Sequence, residues 1–565
     1  MADIEPNLKT NEAPFRFDVL ECRVPMTVEK SVMIEMRDGT RVAADIFRPD
    51  GEGPFPTLYA VSPYNKDTIH LPPHGVYRWR EAGNIGRWVE QGYAFVHADT
   101  RGSGQSEGEW TSGSLEEQHD LYDTIEWIAA QSWSTGKIGM IGESYYAIPQ
   151  WLAAAQNPPH LTCIAPYDGL VDMYRDCVFH GGLFDCGFIS WWATNTRALT
   201  LLERDPGDHP NAGGADIAGE FMRHPLFDDF WKMRSGYEKF DKIKTPFYSI
   251  TNWTMVGIHL RGNLLAFEEI DAPKKLMVAG GDHHHASIEI FHSEEVQQEL
   301  TRWFDYWLKG IDTGIMDDPP VKYWMGNEGW RTAQAWPLPE TEYVPLYLSG
   351  KKAGFCESLN DGSLSWTEPD AQEPTQFDYP QRAWSGWPGF GTAAINSRGM
   401  MDNAVAINTF TSEPLEEDMD IAGPIVLRLW LSSTAKDADI ITKLYEIPET
   451  PRPGPLQPLT RGWLKASHRA IDPERSRPWR PFHPHDRREL LEPGEKYLLE
   501  VEIWPTANIF RKGSRIRLDL ANGDSPVFDM PFNHHYGTKI GTDWYHHDPE
   551  HPSQILLPLV PRKAR

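Results

Sequence analysis

Short apolar runs that end on turn residues alternate with amphipathic stretches through the first half of the chain, and the second half is almost all strand and turn. Residues 31–36 (S-V-M-I-E-M) and 40–47 flank Arg37-Asp38-Gly39 and read as an antiparallel hairpin at the edge of a sheet. Residues 56–61, 93–99, 137–141, 161–166, 246–250 and 275–279 are compact apolar runs, each closing on a loop, as expected of strands covered on both faces. Between them, 115–131 carries Leu121, Ile125 and Ile128 at helical spacing, and 294–308 is an amphipathic helix stopped by Gly310. The alternation predicts an α/β domain.

Residues 170–240 show no strand signal, are rich in aromatics (Phe179, Phe184, Phe188, Trp191, Trp192) and are broken by Pro206-Gly207-Asp208. They read as a helical cap over the sheet, able to line an apolar pocket. Past Pro319-Pro320 short runs at 344–348, 425–431, 440–447, 497–503 and 515–520 are separated by turns, which predicts an all-β sandwich or jelly roll. The expected layout is therefore an α/β domain over 1–169 and 241–318, a cap over 170–240 and a β domain over 319–565.

A chain of 565 residues is too long for one core and fits two or three domains. The formal charge of −27 argues against nucleic-acid partners. The opening residues have neither a basic nor an apolar leader region, and no stretch approaches about eighteen uninterrupted apolar residues, so the expectation is a soluble, cytoplasmic protein without a membrane partner. Five cysteines (Cys22, Cys163, Cys177, Cys186 and Cys356) without C-x-x-C spacing fit reduced thiols. Composition and charge leave a small-molecule substrate and further copies of the chain open as partners without identifying either.

Candidate chemistry concentrates at 137–156, K-I-G-M-I-G-E-S-Y-Y-A-I-P-Q-W-L-A-A-A-Q. An apolar strand, the tight turn Gly142-Glu143-Ser144 and a helix would hold the Ser144 hydroxyl out at the end of a sheet, with a helix start beneath it. The same serine would also serve as an ordinary helix N-cap, so the turn alone does not decide its role.

Other stretches decide it. With S-P-Y-N-K at 62–66, D-T-R-G-S-G-Q-S-E-G at 99–108, I-E-W-I-A-A-Q-S-W-S-T-G-K-I-G-M at 125–140, G-E-S-Y-Y-A at 142–147, G-P-I-V-L-R-L-W-L-S-S-T at 423–434 and G-S-R-I-R-L at 513–518, the chain resembles the CocE/NonD-type α/β-hydrolases almost end to end. That family includes cocaine esterase, α-amino-acid ester hydrolases and X-Pro dipeptidyl-peptidases. The resemblance implies an α/β-hydrolase fold with an inserted helical cap and a C-terminal jelly roll, and Ser144 as nucleophile. It also implies an oxyanion hole from the Tyr64 hydroxyl and the Tyr145 backbone N–H, a placement the physics favours because both donate where charge develops. A base a few residues past the last strand falls on His283 in L-M-V-A-G-G-D-H-H-H, with His284 as near competitor. Consecutive histidines on a loop seldom converge on one ion, so neither a metal nor a cofactor is expected.

Three positions depart from the family pattern. Met255 stands in Asn252-Trp253-Thr254-Met255 where an acid is expected, Ala147 replaces the trailing glycine of the elbow, and Pro149 sits early in the helix, where it is expected to forfeit one intrahelical bond. Asp168, at the end of the strand after the elbow, is the candidate acid to orient His283, with Asp172 as the alternative. The expected activity is hydrolysis of a carboxylic ester or amide through an acyl-enzyme. Acyl transfer from the same intermediate and a non-catalytic binding protein are the other readings.

Overall fold

The computed structural model describes residues 19–71, 78–200, 215–280, 287–355, 360–379, 407–450, 456–524, 532–534 and 539–562. Strands β1 (Met26–Glu35), β2 (Arg41–Pro49), β3 (Phe55–Ser62), β4 (Ala94–Asp99), β5 (Ser134–Glu143), β6 (Leu161–Tyr167), β7 (Phe247–Asn252), β8 (Lys274–Ala279), β9 (Val321–Met325) and β10 (Gly329–Ala333) form one sheet. Its order is β1-β2-β4-β3-β5-β6-β7-β8-β9-β10. The first three strands in that order pair antiparallel, as the Asp-Gly hairpin requires, and those from β4 to β9 are parallel. Parallel strands need crossovers, supplied here by helices such as α1 (Leu115–Ala129) between β4 and β5. Ser114 caps α1 by accepting the Glu117 N–H, and its buried Leu121, Ile125 and Ile128 are the residues the helical spacing selects.

The register puts several strand ends on one edge. Ser62 lies beside Asp99, Glu143 beside Tyr167, Tyr167 beside Ile250, and Asn252 beside Ala279. In a parallel sheet such carboxyl ends open together, so the loops carrying Tyr64, Ser144, Asp168 and the residues after Asn252 share one rim.

Two features differ from the sequence expectation. β9 and β10 continue the first sheet beyond residue 318, up to Ala333, because β9 pairs with β8 and β10 folds back on it. The segment expected to be a largely helical cap without strands, 170–240, holds among its described residues several short helices and the longer Cys186–Thr200 helix, but also a two-residue hairpin of Phe179–His180 with Leu183–Phe184.

The second half is a 12-stranded sheet rolled on itself. Strand Met419–Ser433 pairs with Tyr497–Phe510 at one side and with Gln554–Leu559 at the other, so the path from strand to strand returns to its start and leaves few free edges. Its core is Leu427, Leu429, Leu431, Leu499, Val501 and their neighbours, all buried. This β domain is tied to the segment below the rim by buried ions: the Arg261 guanidinium meets Asp176 at 2.9 Å and Glu502 at 2.9 Å, and Arg175 donates to the carbonyls of His483 and Pro484 at 3.2 and 2.9 Å. No helix among the described residues is long and apolar enough to cross a membrane.

Candidate active site

The elbow forms as the local sequence dictates. β5 delivers Gly142 at φ +135° and Ser144 at φ +60°, a left-handed conformation that a non-glycine residue adopts at a cost of roughly 1 to 3 kcal/mol. A Cβ on Gly142 would lie 2.4 Å from the Tyr146 Cβ, so only glycine lets the chain turn this sharply. A 3₁₀ turn, Ser144–Tyr146, follows and leads into helix α2 (Ile148–Ala154). Pro149 lies in the first turn of α2, where N–H groups have no intrahelical acceptor, so the expected loss of a bond does not occur. Buried Gln150 staples the turn: its amide donates to the Tyr146 carbonyl at 3.1 Å and its oxygen accepts the Ala165 N–H of β6 at 3.1 Å.

Ala147, standing where the family has glycine, is accommodated from the other side. A Cβ on Gly169 would approach the Ala147 Cβ to 2.4 Å, so the glycine at 169 makes room for the methyl at 147. Gly169→Ala is expected to lower stability by about 1 to 3 kcal/mol in thermal or urea unfolding, and Ala147→Gly in the same chain to return most of it. Equal stability of Gly169→Ala and the parent would contradict this packing.

Beside the half-buried Ser144 lies an open pocket lined by Leu170, Met173, Val178, Ile189, Trp192 and Phe221, together with Tyr64 and Tyr145. Tyr64 is buried and its phenol oxygen accepts the Trp192 indole N–H at 2.9 Å. Indole only donates, so this bond fixes the phenol without using its proton. The Tyr145 ring packs edge-on to Tyr64 at 5.9 Å and accepts from Trp110 Nε1 at 3.1 Å, while Tyr146 is held by His97 Nε2 at 2.9 Å. Burial pushes His97 down to about 4, which keeps that ring neutral. Cys177 also faces the cavity, but burial raises its thiol well above the usual range, so it is protonated and a poor nucleophile at neutral pH.

The imidazole beside the serine is one the sequence reading did not single out. His259 Nε2 lies 3.1 Å from Ser144 Oγ. His259 is buried and immediately precedes helix α4 (Leu260–Glu269), the Cys186–Thr200 helix being α3. The expected base, His283, and its neighbours His284 and His285 lie outside the described residues.

Asp168, expected to orient His283, has a left-handed backbone at φ +46° at the end of β6. Its carboxylate accepts from Thr251 Oγ1 at 2.7 Å, from the Asn252 backbone N–H at 3.2 Å and from Asn252 Nδ2 at 2.8 Å. Asn252 Oδ1 in turn accepts the Thr254 N–H at 3.0 Å and the Thr254 hydroxyl, which shapes the turn toward His259. The alternative acid, Asp172, instead caps its own loop and pairs with Arg175.

Among the described residues, Asp45, Asp67 and His70 come close enough to share an ion. Lys30 already fills that place, with its ammonium on Asp45, 3.0 Å from Asp67 and 2.8 Å from His70 Nε2. A cation supplied by the chain satisfies the carboxylates there.

A serine on a strained turn, next to an imidazole and to a phenol at the carboxyl edge of a parallel sheet, is an arrangement for acyl chemistry. Residues 38–285 match the X-Pro dipeptidyl-peptidase (S15 family) domain, and 313–556 match the X-Pro dipeptidyl-peptidase C-terminal non-catalytic domain. The chain is 28% identical to a cocaine esterase of Rhodococcus sp., over 95% of this chain and 99% of the esterase. A CocE/NonD family hydrolase from Staphylococcus aureus superposes with a TM-score of 0.80 at 29% identity, over 95% of this chain and 94% of the other. An α-amino acid ester hydrolase shares the fold at a TM-score of 0.72 and 19% identity, over 99% of this chain and 100% of the other. With both domains matched in order and relatives aligned along nearly the whole length, the chain belongs to the S15/CocE family of hydrolases.

Proposed function

We propose that this chain hydrolyses carboxylic esters through an acyl-enzyme on Ser144, with a neutral, apolar acyl group in the cavity. The observation that carries the reading is the Ser144–imidazole hydrogen bond at the mouth of an apolar pocket. In the proposed course the Ser144 oxygen attacks the ester carbonyl, the imidazole takes the hydroxyl proton, and the oxyanion accepts from the Tyr64 O–H and the Tyr145 N–H. The proton then passes to the departing alkoxide, and water repeats the sequence to free the acid.

The walls support the acyl preference. Leucine, methionine, valine, isoleucine, tryptophan and phenylalanine side chains line the space, and among the described lining residues there is no carboxylate to meet an ammonium. Burying an unpaired cation costs several kcal/mol, so a free α-amino group should be rejected. The test compares 4-nitrophenyl hexanoate and benzoate with the 4-nitrophenyl ester of an α-amino acid bearing a free ammonium, at neutral pH. Neutral esters are expected to have kcat/KM higher by about a hundredfold or more. An equal or greater kcat/KM for the ammonium ester would overturn the acyl assignment.

A further inference from the structure

We propose that the contact between the 179–184 hairpin and the β domain is an acid-sensitive latch, in which buried histidines hold the hairpin in place at neutral pH and release it on acidification. The latch is read from the packing alone; its effect on turnover rests on the acyl-enzyme reading above.

The tip of the hairpin sits directly on the β domain. The Gly181 carbonyl accepts the Lys465 N–H at 2.8 Å, a Cβ on Gly181 would lie 2.1 Å from the Trp463 carbonyl oxygen, and one on Gly182 would lie 2.6 Å from the His468 ring. Beside the tip, His180 stacks on Trp463 at 4.6 Å, and its Nδ1 lies 2.7 Å from Nε2 of His534. A second pair, His468 and His485, meets at 3.0 Å through Nδ1 of each ring, and the His485 carbonyl accepts the Phe227 N–H at 2.9 Å. All four rings are buried.

The hydrogen bonds fix where the protons are. A carbonyl only accepts, so the His180 proton is on Nε2, 3.2 Å from the Asp176 carbonyl oxygen, and Nδ1 is bare. His534 donates to that nitrogen from Nε2 and to Asp524 from Nδ1, the latter at 3.0 Å. A further proton on His180 would face the His534 N–H head-on. His468 and His485 likewise need one bare nitrogen between them. Burial is the main reason these rings resist protonation: it holds His180 and His485 well below the usual imidazole range and pushes His468 down to about 3. The other charged and titratable groups at His180 are Asp176, Asp185, Asp524 and Arg261. Those at the second pair are Asp437, His483, Lys465, Arg175, Arg261 and Arg488, and the cations among them oppose protonation further. Asp185 has the opposite sign, because burial raises its carboxyl to about 7 and it holds a proton in the closed latch. Asp176 keeps Arg261 at 2.9 Å, and neither belongs to the β domain.

On opening, His180, His468 and His485 return to an imidazole range near about 6.5, and Asp185 gives up its proton. Opening therefore takes up about two protons net, and each pH unit of acidification below about 6.5 favours it about a hundredfold. The consequence reaches the pocket through the chain itself. Asp185 joins the hairpin to α3, where its carboxyl accepts the Phe188 N–H at 3.0 Å, and α3 carries Trp192, which lines the pocket and donates to the Tyr64 phenol. Release of the hairpin loosens the pocket wall and the phenol together.

The test follows backbone hydrogen exchange of the full chain by mass spectrometry from about pH 7.5 to about 5, expressed as protection so that the intrinsic pH dependence of exchange is removed. No substrate is used, so the latch is tested even if Ser144 forms no acyl-enzyme. Peptides spanning 179–185 and 463–468 are expected to lose protection about a hundredfold per pH unit below about 6.5, while those of β5 and β6 keep theirs. His180→Asn keeps an acceptor near the Nδ1 position, and His485→Asn suits a backbone at φ +56°; neither asparagine titrates. Each variant should reduce the dependence to about tenfold per pH unit, and the two together should abolish it. Turnover of a 4-nitrophenyl ester should fall reversibly over the same range, more steeply than one proton allows in the parent and no more steeply in the double variant. Protection independent of pH in the parent, protection lost equally along the whole chain, or an unchanged pH slope in either folded single variant would overturn the proposal. A single-proton fall in turnover while the two peptides open would overturn the coupling to the pocket.

Discussion

Ser144→Ala should abolish turnover and fluorophosphonate labelling together, with residual ester hydrolysis about a millionfold below the parent. The size follows from the site. In the proposed course both acylation and deacylation pass through Oγ, and no other nucleophile among the described residues faces the cavity in a reactive form, since burial keeps the Cys177 thiol protonated. The stability of the variant gives a second, independent readout. The φ of +60° at Ser144 is imposed by the turn and not by the hydroxyl, so the alanine variant should fold with a stability close to that of the parent. Turnover or labelling that survives in a folded Ser144→Ala protein would contradict the assignment.

Tyr64→Phe should lower kcat by about a hundred- to a thousandfold while leaving KM within a fewfold. The phenylalanine ring fills the same buried place between Tyr145 and Tyr146, so packing is kept and only the hydroxyl is lost. In the proposed course the hydroxyl acts in the transition state, where the carbonyl oxygen carries charge, and less in the ground state; hence the fall belongs to kcat. Trp192 loses its acceptor in the same change, which should cost about 1 kcal/mol of stability through the indole N–H left behind. A kcat within a fewfold of the parent would place the oxyanion donor elsewhere.

The parts of this account that the sequence makes visible are those written locally. Strand, tight turn and helix around Ser144 are contiguous, and the strands of the parallel core announce themselves as apolar runs because both their faces are covered. β9 and β10 are harder to assign, since Val321–Met325 alternates buried and half-buried residues like a strand of the β domain, and only its pairing with β8 shows where it belongs. Closure of the second sheet depends on partners such as Glu342 and Leu559, far apart in the chain, for which no local pattern exists. His259 is hidden for a similar reason. It stands seven residues past β7, outside any motif spacing, and its closeness to Ser144 comes from two strands ending on one rim and from the Asp168–Asn252–Thr254 contacts that shape the turn. The available signal was the histidine one helical turn after the missing acid at Met255.

The most direct test of the acyl-enzyme on Ser144 is the intact mass of the protein quenched in acid during turnover of a slowly deacylating benzoate ester, followed by mapping of the modified peptide. The account predicts a single benzoyl adduct on the peptide containing Ser144, absent from Ser144→Ala. Turnover without any adduct under conditions where deacylation limits the rate, or an adduct on another residue, would contradict it.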